Sequence, residues 1–427
     1  MYLVEKYCCH FYLCYNTVTV HSVTATVTHG YLQSRSGNPH VFRGSGLRLN
    51  CNTILTSAVS TAENIREGVQ MKFYMPVKLY QEENCVRNHA SEIASLGDRA
   101  VIVTGGSSSK KNGSLSDVET ALEDSGIAFT LFDSVEQNPS TDTVMKIRDQ
   151  ALDFGANICI GVGGGSSLDA AKAAALMIKN KDRGIDYLYE KGNPVDTIPV
   201  VEVPTTCGTG SEVTAVSVLT NRKTNTKGSI PYKIFPVLGL TDPRYLRSLP
   251  LSILRNTAVD ALAHLWESLI NAHADTYSDM TAEAGLRAWA LNKDILTGKV
   301  QASDGDFSNL MTASVMGGMS IAQVGTSIPH GLSYTLTLND GVPHGRACGY
   351  FEAGYLSHAD KELRNRALSL AGFKDLDDWR TFYDEVSDHL SVSDDLLTQA
   401  VDGLQESKMS VAPFACDRKI LNEIAYY

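Results

Sequence analysis

The stretch that decides the fold is NICIGVGGGSSLDAAK, residues 157–172. Asn157 to Val162 is a short apolar run of strand type. Gly163, Gly164 and Gly165 close it, and an alanine-rich helix follows at once. Glycines between a strand and a helix let the backbone approach a phosphate, to which the helix N-terminus presents free N–H groups and its positive dipole end. The stretch is neither G-x-G-x-x-G nor the G-x-x-x-x-G-K-[ST] loop. Three consecutive glycines exceed what a tight turn requires, so the spacing predicts a phosphate-binding turn.

Upstream, Ala100–Thr104 (AVIVT) reads as a strand ended by Gly105-Gly106, with a helix from Ser114 to Asp124. Ile127–Phe132 reads as a second strand and Thr141–Phe154 as a helix. Downstream, Val200–Val203 is a further strand, leading into PTTCGTGSE at 204–212. Strand and helix in this alternation predict right-handed crossovers and a parallel sheet, with ligands at the carboxyl ends of its strands. Two hydroxyl- and glycine-rich loops following strands of one sheet predict a shared nucleotide crevice. After about Leu251 the strand signal stops, and helical periodicity runs through Leu251–Asn271, Thr276–Leu291 and Asp306–Val324. The expected organisation is α/β over 71–250 and all-α over 251–427. Residues 1–70 form an extension, either a small β-rich element or a poorly ordered leader, and are expected to be dispensable.

Composition narrows the function classes. The chain has 427 residues, 43% hydrophobic and 20% charged, with a net charge of −11. That is globular composition, and its acidic balance argues against nucleic acid or an anionic membrane as partner. No apolar run approaches the roughly 20 residues of a membrane span. Nine cysteines occur without a CxxC pair, which removes the zinc-ribbon and thioredoxin-like readings and points to a reducing compartment. Together with the lack of a secretory leader pattern, this predicts a cytoplasmic protein.

The chemistry-bearing residues lie mostly in the helical half. Asp260 and His264 stand at i and i+4 in VDALAHLWESL, on one helix face. His330 and His344 each precede a glycine, in IPHGLSY and VPHGRA. One carboxylate and three imidazoles suit a divalent transition metal with a position left for substrate. Cys207, in the Thr/Gly loop, has no base beside it and reads as a packed small residue.

GGGSSLDAAK at 163–172, PTTCGTGSE at 204–212, DALAH at 260–264 and the two His-Gly sites together resemble the iron-containing (group III) alcohol dehydrogenases. The resemblance runs from about Met71 nearly to the C-terminus. It implies a Rossmann-like N-terminal dinucleotide-binding domain and a C-terminal helical metal-binding domain, the two-domain plan shared with dehydroquinate synthase. It further implies iron at Asp260, His264, His330 and His344, with Zn²⁺ a possible substitute on intrinsic affinity. Cofactor contacts are implied at Gly163, Gly164, Gly165, Ser166, Asp169, Thr205, Thr206, Thr209 and Lys227. The implied activity is reversible hydride transfer between a short alcohol or diol and NAD(P), with a homodimer as the implied assembly. A zinc polyol dehydrogenase of the glycerol type, or a dehydroquinate-synthase-like lyase, is the alternative on the same fold.

Two positions depart from the family pattern. Many members carry an acidic residue after the first strand, where this chain has Gly105, followed by Gly106, Ser107, Ser108, Ser109, Lys110 and Lys111. Without a carboxylate, and with hydroxyls and a lysine, this loop is suited to a 2′-phosphate, so Gly105, Ser107 and Lys110 favour NADP(H) over NAD(H). Tyr334 stands where many members have a further histidine, which removes an imidazole proton relay from that place.

Overall fold

The computed structural model describes residues 72–224 and 226–427. The expectation that residues 1–70 are dispensable falls outside them. The strands are β1 (Lys78–Gln81), β2 (Arg99–Thr104), β3 (Ala128–Phe132), β4 (Ile158–Gly163) and β5 (Val200–Pro204), then β6 (Val218–Asn221), β7 (Thr226–Ser229) and β8 (Leu238–Thr241). Six of them form one sheet in the order β1-β8-β5-β4-β2-β3, with every pairing parallel, while β6 and β7 form a separate antiparallel hairpin.

Helices α1 (Ser114–Asp124), α2 (Thr141–Phe154) and α3 (Gly165–Lys179) cover this sheet. The continuous apolar run of β2 follows from burial on both faces. Val101 and Val103 pack with Val144, Ile147 and the alanines of α3, whereas Ala100 and Ile102 pack with Leu115, Val118 and Leu122 of α1. β1 and β8, and the β6–β7 hairpin, were not legible in the sequence. Each is four residues long, too short for a periodic signal.

Strand order fixes where a ligand can enter. The chain leaves β2 toward β3 on one side, and leaves β4 toward β5 on the other. A crevice therefore opens between the carboxyl ends of β2 and β4, where Gly105 and Gly163–Gly165 lie.

From Leu251 onward the structure is helical. Its core is built by α4 (Leu251–Leu269), α5 (Thr276–Ala290), α6 (Asp304–Val324), α7 (Ile328–Asn339) and α8 (His344–His358). Ser303 caps α6 by accepting from the Asp306 N–H, and Asp275 caps α5 in the same way through Ser278. Among the described residues no helix is long and apolar enough to cross a membrane.

One close approach holds the helical half in register. A Cβ placed on Gly345, in the first turn of α8, would stand 1.9 Å from the Asn256 carbonyl oxygen of α4 and 2.9 Å from the Asp260 Cβ. Any side chain there must push the two helices apart. Gly345→Ala is expected to destabilise the protein by about 1–3 kcal/mol or more through overpacking. Gly305→Ala is the control, because a Cβ there meets only the Ser303 Oγ at 3.7 Å. Its expected effect is a gain of about 0.5–1 kcal/mol from reduced unfolded-state entropy. Thermal denaturation of both variants against wild type checks the opposite signs.

Candidate metal centre and cofactor crevice

Asp260 and His264 occupy successive turns of α4, with Glu267 next on the same face. His330 lies in the first turn of α7, and His344 opens α8. Asp260, His330, His344 and Cys348 each bring one ligand atom into a set lying within 4.8 Å of one another. Asp260 Oδ1 is 3.6 Å from His330 Nε2 and 3.7 Å from His344 Nε2. Two atoms each about 2.1 Å from a common ion stand about 3–4 Å apart, so these separations fit a shared cation. The His264 ring stacks on that of His330, with centroids 4.4 Å apart, but its nitrogens fall outside the four-residue set.

Hydrogen bonds prepare the imidazoles. Glu267 accepts from His330 Nδ1, and the Gly208 carbonyl oxygen accepts from His264 Nδ1 at 3.1 Å. A carboxylate and a carbonyl can only accept, so each Nδ1 carries its proton, which leaves Nε2 as the nitrogen of each ring that a metal could take. Metal-binding histidines are held by this arrangement. His330 Nε2 and Asp260 Oδ1 are buried and have no hydrogen-bond partner, a costly state that a cation relieves. The donor set and its two orphaned atoms fit a divalent metal.

The electrostatics agree. Burial pushes His264 down to about 4 and His344 well below the usual imidazole range, keeping both neutral. At His330 burial is outweighed by the charges of Cys348 and Glu267 and the contact with Asp260, which raise the imidazole, so a cation there takes the place of a proton. Burial opposes ionisation of Asp260, but the surrounding imidazoles, His264 first, hold its carboxyl far below the usual range. Burial raises Glu352 well above the usual carboxylate range, and the charge of Glu267 adds to this.

Most of the residues that the resemblance implied as cofactor contacts lie around the crevice. α3 begins at Gly165 with its first-turn N–H groups facing the glycine turn. The Thr205 N–H donates to the Gly163 carbonyl at 2.8 Å. A Cβ on Gly164 would meet Thr206 at 3.3 Å, and one on Gly165 would meet Thr209 at 2.7 Å. Ser166 Oγ accepts from the Asn138 N–H at 3.2 Å, on the rim. Asp169 is a buttress: Oδ1 accepts from Ser211 Oγ at 2.8 Å and Oδ2 from the Val218 N–H at 2.9 Å. Lys227 lies toward the metal set, its Nζ 5.6 Å from the Tyr334 ring centre, and burial lowers its pKa.

The loop after β2 is more constrained than its sequence suggests. Gly105 bridges to Ser134, and a Cβ on it would stand 2.7 Å from the Val135 carbonyl oxygen. Glycine is there for a backbone approach, whichever cofactor binds. Ser107 and Ser108 are exposed, but Ser109 is buried, accepting from Thr104 Oγ1 at 2.8 Å and donating to the Val162 carbonyl at 3.3 Å. Lys110 Nζ is 2.6 Å from Asp133 Oδ2, so its charge already has a partner.

Residues 76–243 match the profile described as iron-containing alcohol dehydrogenase, and residues 255–387 match that family's C-terminal profile. The chain belongs to the iron-containing alcohol dehydrogenase family. It is 30% identical over 296 residues to a sulfoacetaldehyde reductase of Bilophila wadsworthia, covering 68% of this chain and 76% of that protein. An NADPH-dependent butanol dehydrogenase of Clostridium saccharobutylicum is 27% identical over 286 residues, 65% of this chain and 71% of that one. The crystal structure of an iron-containing alcohol dehydrogenase from Thermotoga maritima superposes with a TM-score of 0.77 at 33% identity, over 83% of this chain and 98% of that chain. The chain is an alcohol dehydrogenase-type oxidoreductase with a dinucleotide-binding fold, and the lyase and zinc polyol readings are not favoured.

Sequence reasoning missed Glu267 and Cys348. Both were findable, since Glu267 follows His264 by three residues and Cys348 follows His344 by four, spacings that share a helix face. Glu267 orients His330 and also accepts from the Ser327 N–H. Glu267→Gln is expected to weaken metal binding about 10–100-fold, measured by chelator competition, with the far-ultraviolet circular dichroism unchanged.

Proposed function

We propose that this chain is an iron-dependent alcohol dehydrogenase and aldehyde reductase that uses NADP(H) in preference to NAD(H). Asp260, His264, His330 and His344 are the proposed ligands, and residues 71–250 and 251–427 the cofactor and metal domains. The observation that carries the reading is the buried pair Asp260 Oδ1 and His330 Nε2, which face each other at 3.6 Å without a hydrogen bond, in a chain with the glycine turn of a dinucleotide fold. A bound divalent metal supplies Lewis acidity toward the alcohol or carbonyl oxygen. The chain does the rest. Glu267 and the Gly208 carbonyl set the imidazole tautomers, and the α3 N-terminus receives the pyrophosphate. Thr206 and Thr209 confine the cofactor against the glycines. Holding the nicotinamide face beside the metal set makes hydride transfer effectively unimolecular.

The described cysteines, Cys85, Cys159, Cys207, Cys348 and Cys416, are free thiols, which supports a cytoplasmic location, and family likeness supports a homodimer. Protein loaded anaerobically with Fe²⁺ should oxidise short alcohols or diols and reduce their aldehydes, followed by nicotinamide absorbance. No absorbance change with any alcohol or aldehyde would overturn the assignment. Lys110 and the exposed Ser107 are the proposed 2′-phosphate contacts, with Lys110 exchanging Asp133 for the phosphate. Lys110→Ala should raise KM for NADPH about tenfold, a charge-assisted contact being worth about 1.5–3 kcal/mol, while KM for NADH stays unchanged. A higher wild-type kcat/KM with NADH would sink the cofactor preference alone.

A second substrate reading has its own observation. Lys227 and Lys408 place their Nζ atoms 5.6 and 5.8 Å from the Tyr334 ring centre, and that ring stacks near His344. Two lysine amines beside Tyr334 suit an aldehyde carrying a sulfonate or carboxylate, whose charge would favour their protonated forms, in line with the name of the Bilophila relative. Lys408→Met should then raise KM for an anionic aldehyde about tenfold, without changing KM for butanal. Equal effects on both substrates would favour the neutral class.

A further inference from the structure

The metal set contains a residue that the Asp-His-His-His reading does not use. Cys348 is fully buried on α8, one turn after His344. Its Sγ lies 3.8 Å from His344 Nε2 and within 4.8 Å of the ligand atoms of Asp260 and His330. The other described thiols are engaged elsewhere. Cys207 faces Thr257 Oγ1 at 3.4 Å, while Cys85, Cys159 and Cys416 point to backbone carbonyls at 3.3–3.5 Å. Only at Cys348, among the described cysteines, are the sulfur's hydrogen-bond-range neighbours imidazole nitrogens.

We propose that Cys348 is a further ligand of the metal, making this centre a mixed carboxylate, imidazole and thiolate site. The proposal rests on the metal-centre reading above. An N and an S ligand at about 2.1 and 2.3 Å from a tetrahedral ion stand about 3.6 Å apart, close to the observed 3.8 Å. The buried Asp260 Oδ1 and His330 Nε2, neither of which has a hydrogen-bond partner, belong to the same set, so the sulfur joins atoms that a cation would satisfy. On binding, the S–H bond breaks, its proton leaves to solvent, and the sulfur lone pair forms the metal bond, with no change of oxidation state. A soft donor biases the site toward Zn²⁺ or Co²⁺, relative to one built from nitrogen and oxygen alone. It also occupies a coordination position, leaving fewer for substrate oxygen.

The test is cobalt substitution of the full-length protein after chelator treatment. Wild type should show visible d–d absorption together with a thiolate-to-cobalt charge-transfer band in the near ultraviolet. Cys348→Ser should keep the visible bands and lose the ultraviolet one, whereas Cys207→Ser should keep both. Visible bands without charge transfer in wild type, or charge transfer that survives Cys348→Ser, would overturn the thiolate ligand and leave the metal centre standing. Absence of visible bands in wild type would remove the metal centre and this proposal together. If Cys348→Ser takes up no cobalt, X-ray absorption of zinc-loaded wild type decides the matter. A sulfur shell near about 2.3 Å supports the proposal, and nitrogen and oxygen alone at about 2.0–2.2 Å refutes it.

Discussion

The backbone of Gly208 is the contact on which both halves of the site depend. A Cβ there would stand 2.7 Å from the Thr257 carbonyl oxygen and 3.0 Å from Asp260 Oδ2. The Thr/Gly loop after β5 thus lies directly on the helix that carries the carboxylate. The same residue's carbonyl accepts from His264 Nδ1. One glycine therefore orients the His264 ring beside the candidate metal set and fixes how closely the Thr/Gly loop approaches that set. Hydride transfer needs its partners positioned to a fraction of an ångström, and a backbone contact is stiffer than any side-chain one.

A second buried device holds that loop from beneath. Lys172 on α3 is fully buried, and its Nζ donates to the Ser211 carbonyl at 2.6 Å, Ser211 Oγ at 2.8 Å and the Val216 carbonyl at 3.1 Å. Glu202 of β5 lies 3.8 Å away, and burial pushes it up to about 8. Glu212 is pushed up to about 7 for the same reason. A buried amine binding carbonyls directs the chain after β5 into one path, since abandoning any of these bonds leaves a polar group unsolvated. The residue that interrupts the apolar face of α3 in the sequence is thus the anchor of the Thr/Gly loop.

Much of the fold was legible because its signals are local. The apolar runs of β2, β4 and β5 are long enough to show burial, and the helices Ser114–Asp124 and Thr141–Phe154 have the bounds their patterning predicts. The four-residue strands β1 and β8 were not legible, because their pairing with each other and with β5 is a property of the sheet. Gly105 taught a similar lesson. Its lack of a carboxylate is visible in the sequence, but the Val135 carbonyl that forbids a side chain there is not.

The sequence by itself determined the element types and the motif inventory: a strand, three glycines and a helix, and a carboxylate with three histidines at helical or glycine-marked positions. These follow from periodicity and backbone conformation, which act over a few residues. Tertiary structure alone decided which donors meet. It gathered Asp260, His330, His344 and Cys348 into one set, turned His264 toward Gly208, and placed Glu267 behind His330. It also paired Lys110 with Asp133. The physical reason is that coordination and ion pairing depend on separations of a few ångströms between residues far apart in the chain. Those separations are set by how closely helices and loops pack, and no local pattern encodes them.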